Sequence, residues 1–240
     1  MPIELNALES ARFGITAARL TDLSAPLDRV NAAARAQGVQ MITARVDSNH
    51  LPLVQALEED GYRLMDMLVY YSHDLARLPE PGASPAGETL RRASPADAAA
   101  VAEVAKAAFR GYLGHFHSDP RLSGTDADAA YVEWAQSSVT TCDDTAPAFV
   151  AVADGRIVAF LTTDMNAREI VLNAVLPQVQ GQGIYGRLVD QALQAARRAG
   201  CRQLSVSTQV NNIAPQRTWC RRGFRPLRSL YTLHKWFSPE

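Results

Sequence analysis

Hydrophobic and polar positions along this chain follow the spacings of strands and helices, and their order predicts the architecture of the first 78 residues. Strands and helices are expected in alternation at 13–20, 26–36, 39–46, 52–59 and 64–74. Gly38 and Gly61 directly follow the two helical patterns and are typical helix ends. A βαβαβ order is typical of a small α/β domain, which we interpret as a scaffold or substrate-side domain.

The hydrophobic pattern stops at residues 79–88. This segment contains three prolines and two glycines and shows no apolar periodicity. Such a composition favours a connection over a helix or strand. We therefore predict an N-terminal domain at 1–78, a linker at 79–88 and a second domain at 89–240.

The pattern resumes in the second domain with a longer series of elements. Strands are expected at 90–93, 148–153, 156–164, 171–176, 203–210 and 229–236. Helices are expected after Ser94, through Tyr131 and Trp134, after the glycines near residue 183, and at 215–221. Asp154 and Gly155 separate two of the strands and predict a tight hairpin. Segment 112–120 has neither spacing and is interpreted as irregular.

A strand, a glycine-rich turn and a helix follow one another across residues 171–198. The apolar run 171–176 ends at Pro177, and the turn that follows contains Gly181, Gly183 and Gly186. Glycines allow close backbone approach, while the unpaired N–H groups and the dipole of a helix N-terminus favour negative charge. The sequence therefore predicts a phosphate-binding turn.

Two other interpretations of this turn compete with a phosphate site. The three glycines match the spacing of a dinucleotide fingerprint, which also needs an acidic residue about 20 residues further on. The strand expected there, 203–208, contains no Asp or Glu, and little chain follows it. A turn that only joins a strand to a helix is the structural alternative, and the downstream residues argue against it.

Those downstream residues resemble the GNAT superfamily of acyl-CoA N-acyltransferases across 89–237. Gln180 and Gly183 match the family pattern Gln/Arg-x-x-Gly-x-Gly/Ala, whereas Tyr185 stands where that pattern has Gly or Ala. The later pattern Asn-x-x-Ala-x-x-x-Tyr-x-x-x-Gly-Phe is matched in part. Its counterparts here are Asn212, Pro215, Trp219, Gly223 and Phe224, of which Pro215 and Trp219 depart from it.

The resemblance implies a fold, a cosubstrate and a set of contacts. The fold is α/β (α+β), with a mixed, largely antiparallel sheet flanked by helices and preceded here by a smaller βα domain. The cosubstrate is acetyl-CoA, with its pyrophosphate at the glycine turn and main-chain contacts along the preceding strand. The implied cofactor-binding residues are Ala174, Val175, Gln180, Gly181, Gln182, Gly183, Ile184, Tyr185, Gly186, Arg187, Asn212 and Trp219.

Acyl transfer to an amine also needs a base and an acid. The family tyrosine that protonates the thiolate is Trp219 here, and an indole does not titrate. Tyr231 is the predicted acid, with water and a packing role for Tyr231 as alternatives. His117 is the predicted base because histidine titrates near neutral pH, although a loop histidine is often only solvated. His115, Asp119, Tyr131 and Trp134 are expected to contact the acceptor.

The acceptor implied by the resemblance is a nucleotide-linked amino sugar. Within the superfamily, several positions resemble the dTDP-fucosamine acetyltransferases: Phe13-Gly14, Gly61-Tyr62, Phe109, the Tyr131-x-x-Trp134 helix and Ser207–Val210. Those enzymes acetylate the amine of a dTDP-linked 4-amino-4,6-dideoxyhexose. A role in cell-surface polysaccharide synthesis, including lipopolysaccharide biosynthesis, would follow. Two alternatives stay open: acetylation of a protein or small-molecule amine, and a non-catalytic acyl-CoA sensor, which the loss of the family tyrosine favours.

Composition changes this picture little. A formal net charge of −1 argues against binding to nucleic acid or a membrane surface. The arginines that cluster near the C-terminus are interpreted either as a solvated face or as phosphate contacts; they are Arg217, Arg221, Arg222, Arg225 and Arg228. Three widely spaced cysteines predict neither disulfides nor a metal site, and no signal peptide is recognisable, so a cytoplasmic location is expected. The oligomeric state, a homodimer included, is left open.

Overall fold

The computed structural model describes residues 1–78 and 89–237, and the predicted linker lies outside the described residues. The strands are β1 (Ile3–Leu5), β2 (Ala17–Leu20), β3 (Met41–Asp47), β4 (Arg63–Asp74), β5 (Thr89–Arg92), β6 (Ala148–Ala153), β7 (Arg156–Asp164), β8 (Glu169–Val175), β9 (Gln203–Gln209) and β10 (Arg225–Trp236). The helices are α1 (Ala7–Phe13), α2 (Leu27–Ala36), α3 (Leu51–Glu59), α4 (Ala98–Ala108), α5 (His115–Ser118), α6 (Gly124–Thr140), α7 (Ile184–Arg198) and α8 (Ile213–Arg221).

The N-terminal prediction missed β1 and α1. Of the residues expected in a strand at 13–20, Phe13 is the last residue of α1, Gly14 ends that helix, and the strand begins at Ala17. The side chain of Asn6 accepts a hydrogen bond from the Glu9 amide at the start of this helix, and Gly14 ends it in a left-handed conformation, φ 64°. Asn6 and Gly14 are therefore a helix cap and a helix stop, a signal that the apolar residues between them obscured.

Contacts divide the chain into two compact units whose limits differ from the predicted domains. Unit 1 comprises Met1–Val69, Leu113–Ala127 and the described part of Arg228–Glu240. Unit 2 comprises the described part of Tyr70–Tyr112 and Asp128–Leu227. Two segments of the predicted second domain thus belong with the N-terminal residues. Long-range strand pairing and packing hold them there, which local patterns do not reveal.

Unit 1 contains a sheet in which β3 pairs with both β2 and β10. The β2–β3 pair is parallel, whereas β1–β2 and β3–β10 are antiparallel, the last running from Leu230↔Asp47 to Trp236↔Met41. Val30 of α2 and Leu57 of α3 pack on one face of this sheet. Phe116 and Leu122 from segment 113–127 pack on the other face, against Met41 and Trp236.

Unit 2 contains β5, β6, β7, β8 and β9 in spatial order. Neighbouring strands are antiparallel except the parallel pair β8–β9. The apolar stripe of α7, including Leu188 and Leu193, and Trp219 of α8 cover one face. Val101 and Val104 of α4 with Val139 of α6 cover the other. A mixed, largely antiparallel sheet flanked by helices is the fold class that the sequence predicted, and it is confirmed.

A β-bulge in β8 decides which residues of this strand face which helices. The register against β7 runs from Ala159↔Val175 to Thr162↔Leu172, then shifts so that Thr163 pairs with Ile170. The hydroxyl of Thr162 bonds both main-chain groups of Leu172, at 3.1 and 3.2 Å. As a result Ile170 faces α7, while Leu172 and Ala174 face α4 and α6.

Candidate active site

The glycine turn joins the end of β8 to the start of α7. Gly181 and Gly183 have φ values of 80° and 78°, in the left-handed region that favours glycine. Gly183 is the N-cap of α7, and its carbonyl accepts from the Arg187 amide at 3.2 Å. The amides before Arg187 lie in the first turn of the helix, where no intrahelical acceptor exists for them. The turn has the backbone geometry on which the predicted phosphate site depends, and phosphate binding itself stays a prediction.

Arg187 folds back over this turn. Its Nη1 donates to the Gln182 carbonyl at 3.1 Å. A Cβ atom on Gly183 would lie 2.9 Å from the same nitrogen, closer than real side chains approach. Glycine is therefore favoured at position 183 by the backbone angle, and a side chain there would also have to displace the Arg187 guanidinium. The guanidinium adds positive charge to a turn that already favours an anion.

Gly186 is small for a different reason. The guanidinium of Arg222 lies directly against its Cα, and its Nε donates to the Gly186 carbonyl at 2.7 Å and to Asp190 at 2.8 Å. Of the arginines clustered near the C-terminus, Arg222 is therefore fixed to α7, whereas Arg217 and Arg221 are exposed. Sequence reasoning assigned Gly186 to the cofactor and did not find this clamp.

The two strands beside the turn share only a short ladder. The parallel register of β8 with β9 comprises Glu169↔Ser205 and Ile170↔Val206. Beyond it, Ala174 and Val175 keep their pairing with β7. The side-chain amide of Gln180 donates to the Val175 carbonyl at 3.2 Å and so ties the turn to the end of the strand. The carboxyl half of β8 is the edge at which the resemblance implies main-chain contacts to acyl and pantetheine groups.

Two of the three departures from the family patterns, Tyr185 and Trp219, contact each other. The indole N–H of Trp219 donates to the hydroxyl of Tyr185 at 2.6 Å. Trp219 is 1% exposed, and burial raises the pKa of Tyr185, so the phenol stays protonated at neutral pH. Because an indole nitrogen only donates, the O–H of Tyr185 is left to donate elsewhere. The sequence analysis treated the two residues separately, and only the fold shows that they form a pair.

A second set of bonds holds α8 beside this pair. The rings of Tyr71 and Trp219 are 5.5 Å apart, and the Tyr71 hydroxyl donates to Gln216 at 3.2 Å. The amide of Gln216 donates in turn to the carbonyls of Val210 and Asn212, both at 3.0 Å. Asn212 caps α8, and its side chain donates to Thr208 at 2.9 Å. Asn212 is therefore fixed by the protein itself at the end of β9.

Tyr131 and Trp134, predicted to bind the acceptor, belong to an aromatic cluster on the α4–α6 face. Tyr131 stacks on Phe109 with ring centroids 4.8 Å apart, and Tyr112 meets both rings edge-on. The Tyr112 hydroxyl also bonds Gln209, the last residue of β9. Trp134, 43% exposed, extends this cluster to the surface at 6.5 Å from Tyr131. Their role in acceptor binding stays a prediction.

The segment 112–120, predicted to be irregular, contains the short helix α5 and a buried network. His115 and Asp119 are buried in unit 1, where His234 bonds to both. His117, the predicted base, is half-buried, and its Nδ1 accepts from the Gly114 amide at 3.5 Å. Sequence reasoning missed His234, which lies 115 residues from Asp119 in the chain. The structure thus brings His115 and Asp119 together through a residue that no local motif indicates.

Asp119 gives this network a pH dependence. Burial alone would raise its pKa, but hydrogen bonds from His234, Trp236 and the Arg121 amide lower the pKa to about 2 from 3.8. A lowered carboxyl pKa contributes stability above the unfolded value, and this contribution is lost as the pH falls from about 4 through 2. We predict a loss of about 1–2 kcal/mol of unfolding free energy over this window, allowing for solvent screening.

Urea denaturation at pH 5 and pH 2 measures this loss, with Asp119→Asn as the comparison. The wild type should lose more unfolding free energy between the two pH values than Asp119→Asn. Equal losses in both proteins would show that Asp119 titrates normally in the folded state.

Tyr231, the predicted acid, lies on β10 opposite Val46 and packs against the apolar core beneath α2 and α3. His234 is three residues further on, so it faces the other side of the sheet. This placement is that of a packed cross-strand aromatic, the alternative weighed from sequence. The catalytic role stays a prediction.

If Tyr231 is the acid, Tyr231→Phe should lower turnover tenfold or more while acetyl-CoA affinity by calorimetry is unchanged. Wild-type turnover would assign the residue to packing.

Metal-ligand clusters, membrane-spanning helices and cysteine pairing can each be described for the same residues. Within 1–78 and 89–237, no group of His, Cys, Asp and Glu side chains is arranged to hold a metal ion. In the same ranges, no helix combines the length and apolar character needed to cross a membrane. Cys142, Cys201 and Cys220 are free thiols.

One comparison with known proteins covers the glycine turn and the strands on either side of it. Residues 109–224 match the model of the acetyltransferase (GNAT) family. The spore coat polysaccharide biosynthesis protein SpsD of Bacillus subtilis is 26% identical over 148 residues, which are 61% of this chain and 50% of that protein. The chain therefore spans about half the length of this curated relative.

Solved structures share the fold over nearly the whole chain. A GCN5-related N-acetyltransferase from Sphaerobacter thermophilus superposes with a TM-score of 0.69 at 16% identity, covering 99% of this chain and 76% of that one. A GCN5-related N-acetyltransferase from Kribbella flavida gives 0.66 at 18% identity, covering 98% and 86%. At these identities the likeness concerns the fold alone.

The family match covers the glycine turn together with β6, β7, β8 and β9. Residues 109–224 match the family model and form a GNAT acetyltransferase region, and members of this family use acetyl-CoA.

Proposed function

We propose that this protein transfers an acetyl group from acetyl-CoA to the amine of a nucleotide-linked amino-deoxy sugar, by direct attack in a ternary complex. The observation that carries the acetyl-CoA part is the turn Gly181–Gly183 at the N-terminus of α7, with Arg187 folded over it. Its unpaired amides and positive charge fit a pyrophosphate. The choice of a sugar acceptor is supported by the name of the relative SpsD, a spore coat polysaccharide biosynthesis protein that is 26% identical.

Bound acetyl-CoA would supply an activated acyl group as a thioester. The residues of the turn would hold its phosphates, and the carboxyl half of β8, around Ala174 and Val175, would offer main-chain groups to its pantetheine arm. A main-chain N–H aimed at the thioester oxygen would stabilise the charge that develops there during attack. Holding the reactants in one orientation lowers the barrier further, because the entropy cost is met on binding.

The Trp219–Tyr185 pair bears on the proposal that the site is catalytic. Replacement of the family tyrosine by Trp219 favours a non-catalytic sensor when it is considered alone. In the structure, however, the Tyr185 hydroxyl lies 2.6 Å from the indole nitrogen. A hydroxyl donor that stays protonated is thus present beside Trp219, in the first turn of α7. This supports an enzyme over a sensor.

The acceptor is tested with a panel of amines and acetyl-CoA, with release of free CoA thiol as the measurement. Nucleotide-linked 4-amino-4,6-dideoxyhexoses are expected to release CoA fastest. The matching free amino sugars and a lysine peptide should react at least tenfold more slowly. A faster reaction with the peptide or with a simple amine would replace the sugar proposal. Tight acetyl-CoA binding by calorimetry without turnover of any amine would favour the sensor.

A further inference from the structure

The ladder between β8 and β9 in unit 2 ends before either strand does. Its last pair is Ile170↔Val206, whereas β8 continues to Val175 and β9 to Gln209. Past that pair β8 keeps its ladder with β7 on the other side. The side chain of Gln180 ties the glycine turn to the carbonyl of Val175. A gap between residues 171–175 of β8 and 207–209 of β9, called the strand gap below, therefore opens directly beside the turn.

Ala174 and Gln209 face the same side of the sheet at this gap. Leu204 and Val206 pack on the α7 side, so Gln209 points to the α4–α6 side, because side chains alternate along a strand. Ala174 packs in the cluster beneath α4 and α6. The two residues lie four and three positions past the last ladder pair, and so at nearly the same level. The glycine turn, in contrast, leads into α7 on the opposite side.

The ring of Tyr112 stands at the α4–α6 end of the strand gap. Its hydroxyl donates to the side-chain oxygen of Gln209. The rings of Phe109 and Tyr131 meet it at 5.4 and 5.2 Å, with interplanar angles of 79° and 78°. These two rings belong to the cluster that contains Ala174. Tyr112 is thus held by β9 on one side and by the aromatic cluster next to β8 on the other.

Gln209, the partner of Tyr112, is itself fixed. It is 7% exposed, and its carbonyl accepts from the side-chain amide of Gln216 at 3.3 Å. The same amide donates to the Val210 carbonyl, while its oxygen accepts from Tyr71. Displacing Tyr112 would remove a hydrogen bond to a buried amide oxygen, which is costly. The α4–α6 end of the strand gap is therefore closed by a wall that resists movement.

The two sides of this end differ in size. Ala174 contributes a single methyl group from β8, while Tyr112 contributes a whole phenol ring. Protein interiors are close-packed, so a change of one methylene against such a wall is felt. In a hydrophobic pocket one methylene changes the specificity of an enzyme by about 10–200-fold. The geometry leaves room for a short group beside Ala174 and stops a longer one at the ring.

We propose that Tyr112, held by Gln209, is the specificity-determining residue that limits the transferred acyl group to acetyl. The thioester would enter from the α7 side, where the glycine turn would bind its phosphates. Its acyl group would point through the strand gap towards the α4–α6 side, where the ring of Tyr112 stops propionyl and butyryl groups. The proposal rests on the proposed function for the binding of acyl-CoA at the turn and along β8, and not on the identity of the amine.

Calorimetric titration of the full-length protein with acetyl-CoA and butyryl-CoA tests this without an acceptor. The wild type should bind butyryl-CoA at least about tenfold more weakly. Tyr112→Ala should lower the ratio of the two Kd values by about tenfold or more, because butyryl-CoA gains room while acetyl-CoA affinity stays within about threefold. Tyr112→Leu keeps an apolar side chain against Phe109 and Tyr131 and should lower the ratio in the same direction, should Tyr112→Ala fail to fold.

Val139→Ala is the matched control. Val139 of α6 is fully buried in the same cluster, so its truncation should lower stability and keep the wild-type ratio of Kd values. An equal fall of the ratio in Val139→Ala and Tyr112→Ala would assign the effect to a loosened cluster and overturn the proposal. Equal binding of both thioesters by the wild type would also overturn it.

The two proposals fail in distinguishable ways. A wild-type protein that binds neither thioester would remove the proposed function, and the role of Tyr112 with it. Binding of acetyl-CoA with an unchanged ratio in the folded Tyr112 variants would leave the proposed function standing and overturn the role of Tyr112 alone.

Discussion

Replacing Gly183 by valine is expected to weaken acetyl-CoA binding at least tenfold, about 1.4 kcal/mol. Gly183 has φ 78°, which valine adopts only with strain, and its added Cβ would meet Arg187 Nη1 at 2.9 Å. Both effects displace the backbone and the guanidinium that would contact the pyrophosphate. Isothermal titration calorimetry with acetyl-CoA measures the change directly.

Gly200→Val is the matched control for this substitution. Gly200 has the same φ, 78°, but follows the opposite end of α7 and has open space where a Cβ would be. The backbone strain is therefore comparable, while the turn is untouched. Gly200→Val should lower stability and keep wild-type affinity. Equal affinity in a folded Gly183→Val protein would place the phosphates elsewhere.

Replacing Trp219 by alanine is expected to lower the free energy of unfolding by about 3–5 kcal/mol. Trp219 is 1% exposed, packs among the core residues beneath α7 and donates its only N–H to Tyr185. Its removal leaves a cavity and frees the Tyr185 hydroxyl from its partner. Urea denaturation followed by circular dichroism measures the loss.

Trp134→Ala is the control, since Trp134 is 43% exposed and should lose far less. A double-mutant cycle with Trp219→Phe and Tyr185→Phe then isolates the hydrogen bond, with an expected coupling of about 0.5–1.5 kcal/mol. A coupling near zero would show that the two aromatics are only neighbours. A Trp219→Ala loss equal to that of Trp134→Ala would contradict the packing that the structure shows.

The elements with strong local signals were predictable. The helices at 26–36 and 52–59, the hairpin at Asp154–Gly155 and the strand, turn and helix around Gly183 all appear close to their expected limits. Each is set by residues adjacent in sequence: apolar spacing, a glycine stop, or two residues with positive φ. Helix α1 was missed because it is only seven residues long and its end, Phe13 and Gly14, was included in the strand expected at 13–20.

The sequence by itself determined the fold class, the position of the glycine turn and the family pattern with its departures. Only the tertiary structure decided that Tyr185 and Trp219 are bonded, that Arg222 requires Gly186 to be small, and that His234 joins His115 to Asp119. The physical reason is how far apart the contacting residues lie in the sequence. Turns, caps and periodicity depend on residues within a few positions, whereas these contacts join residues 34 to 119 positions apart and exist only once strands and helices have packed.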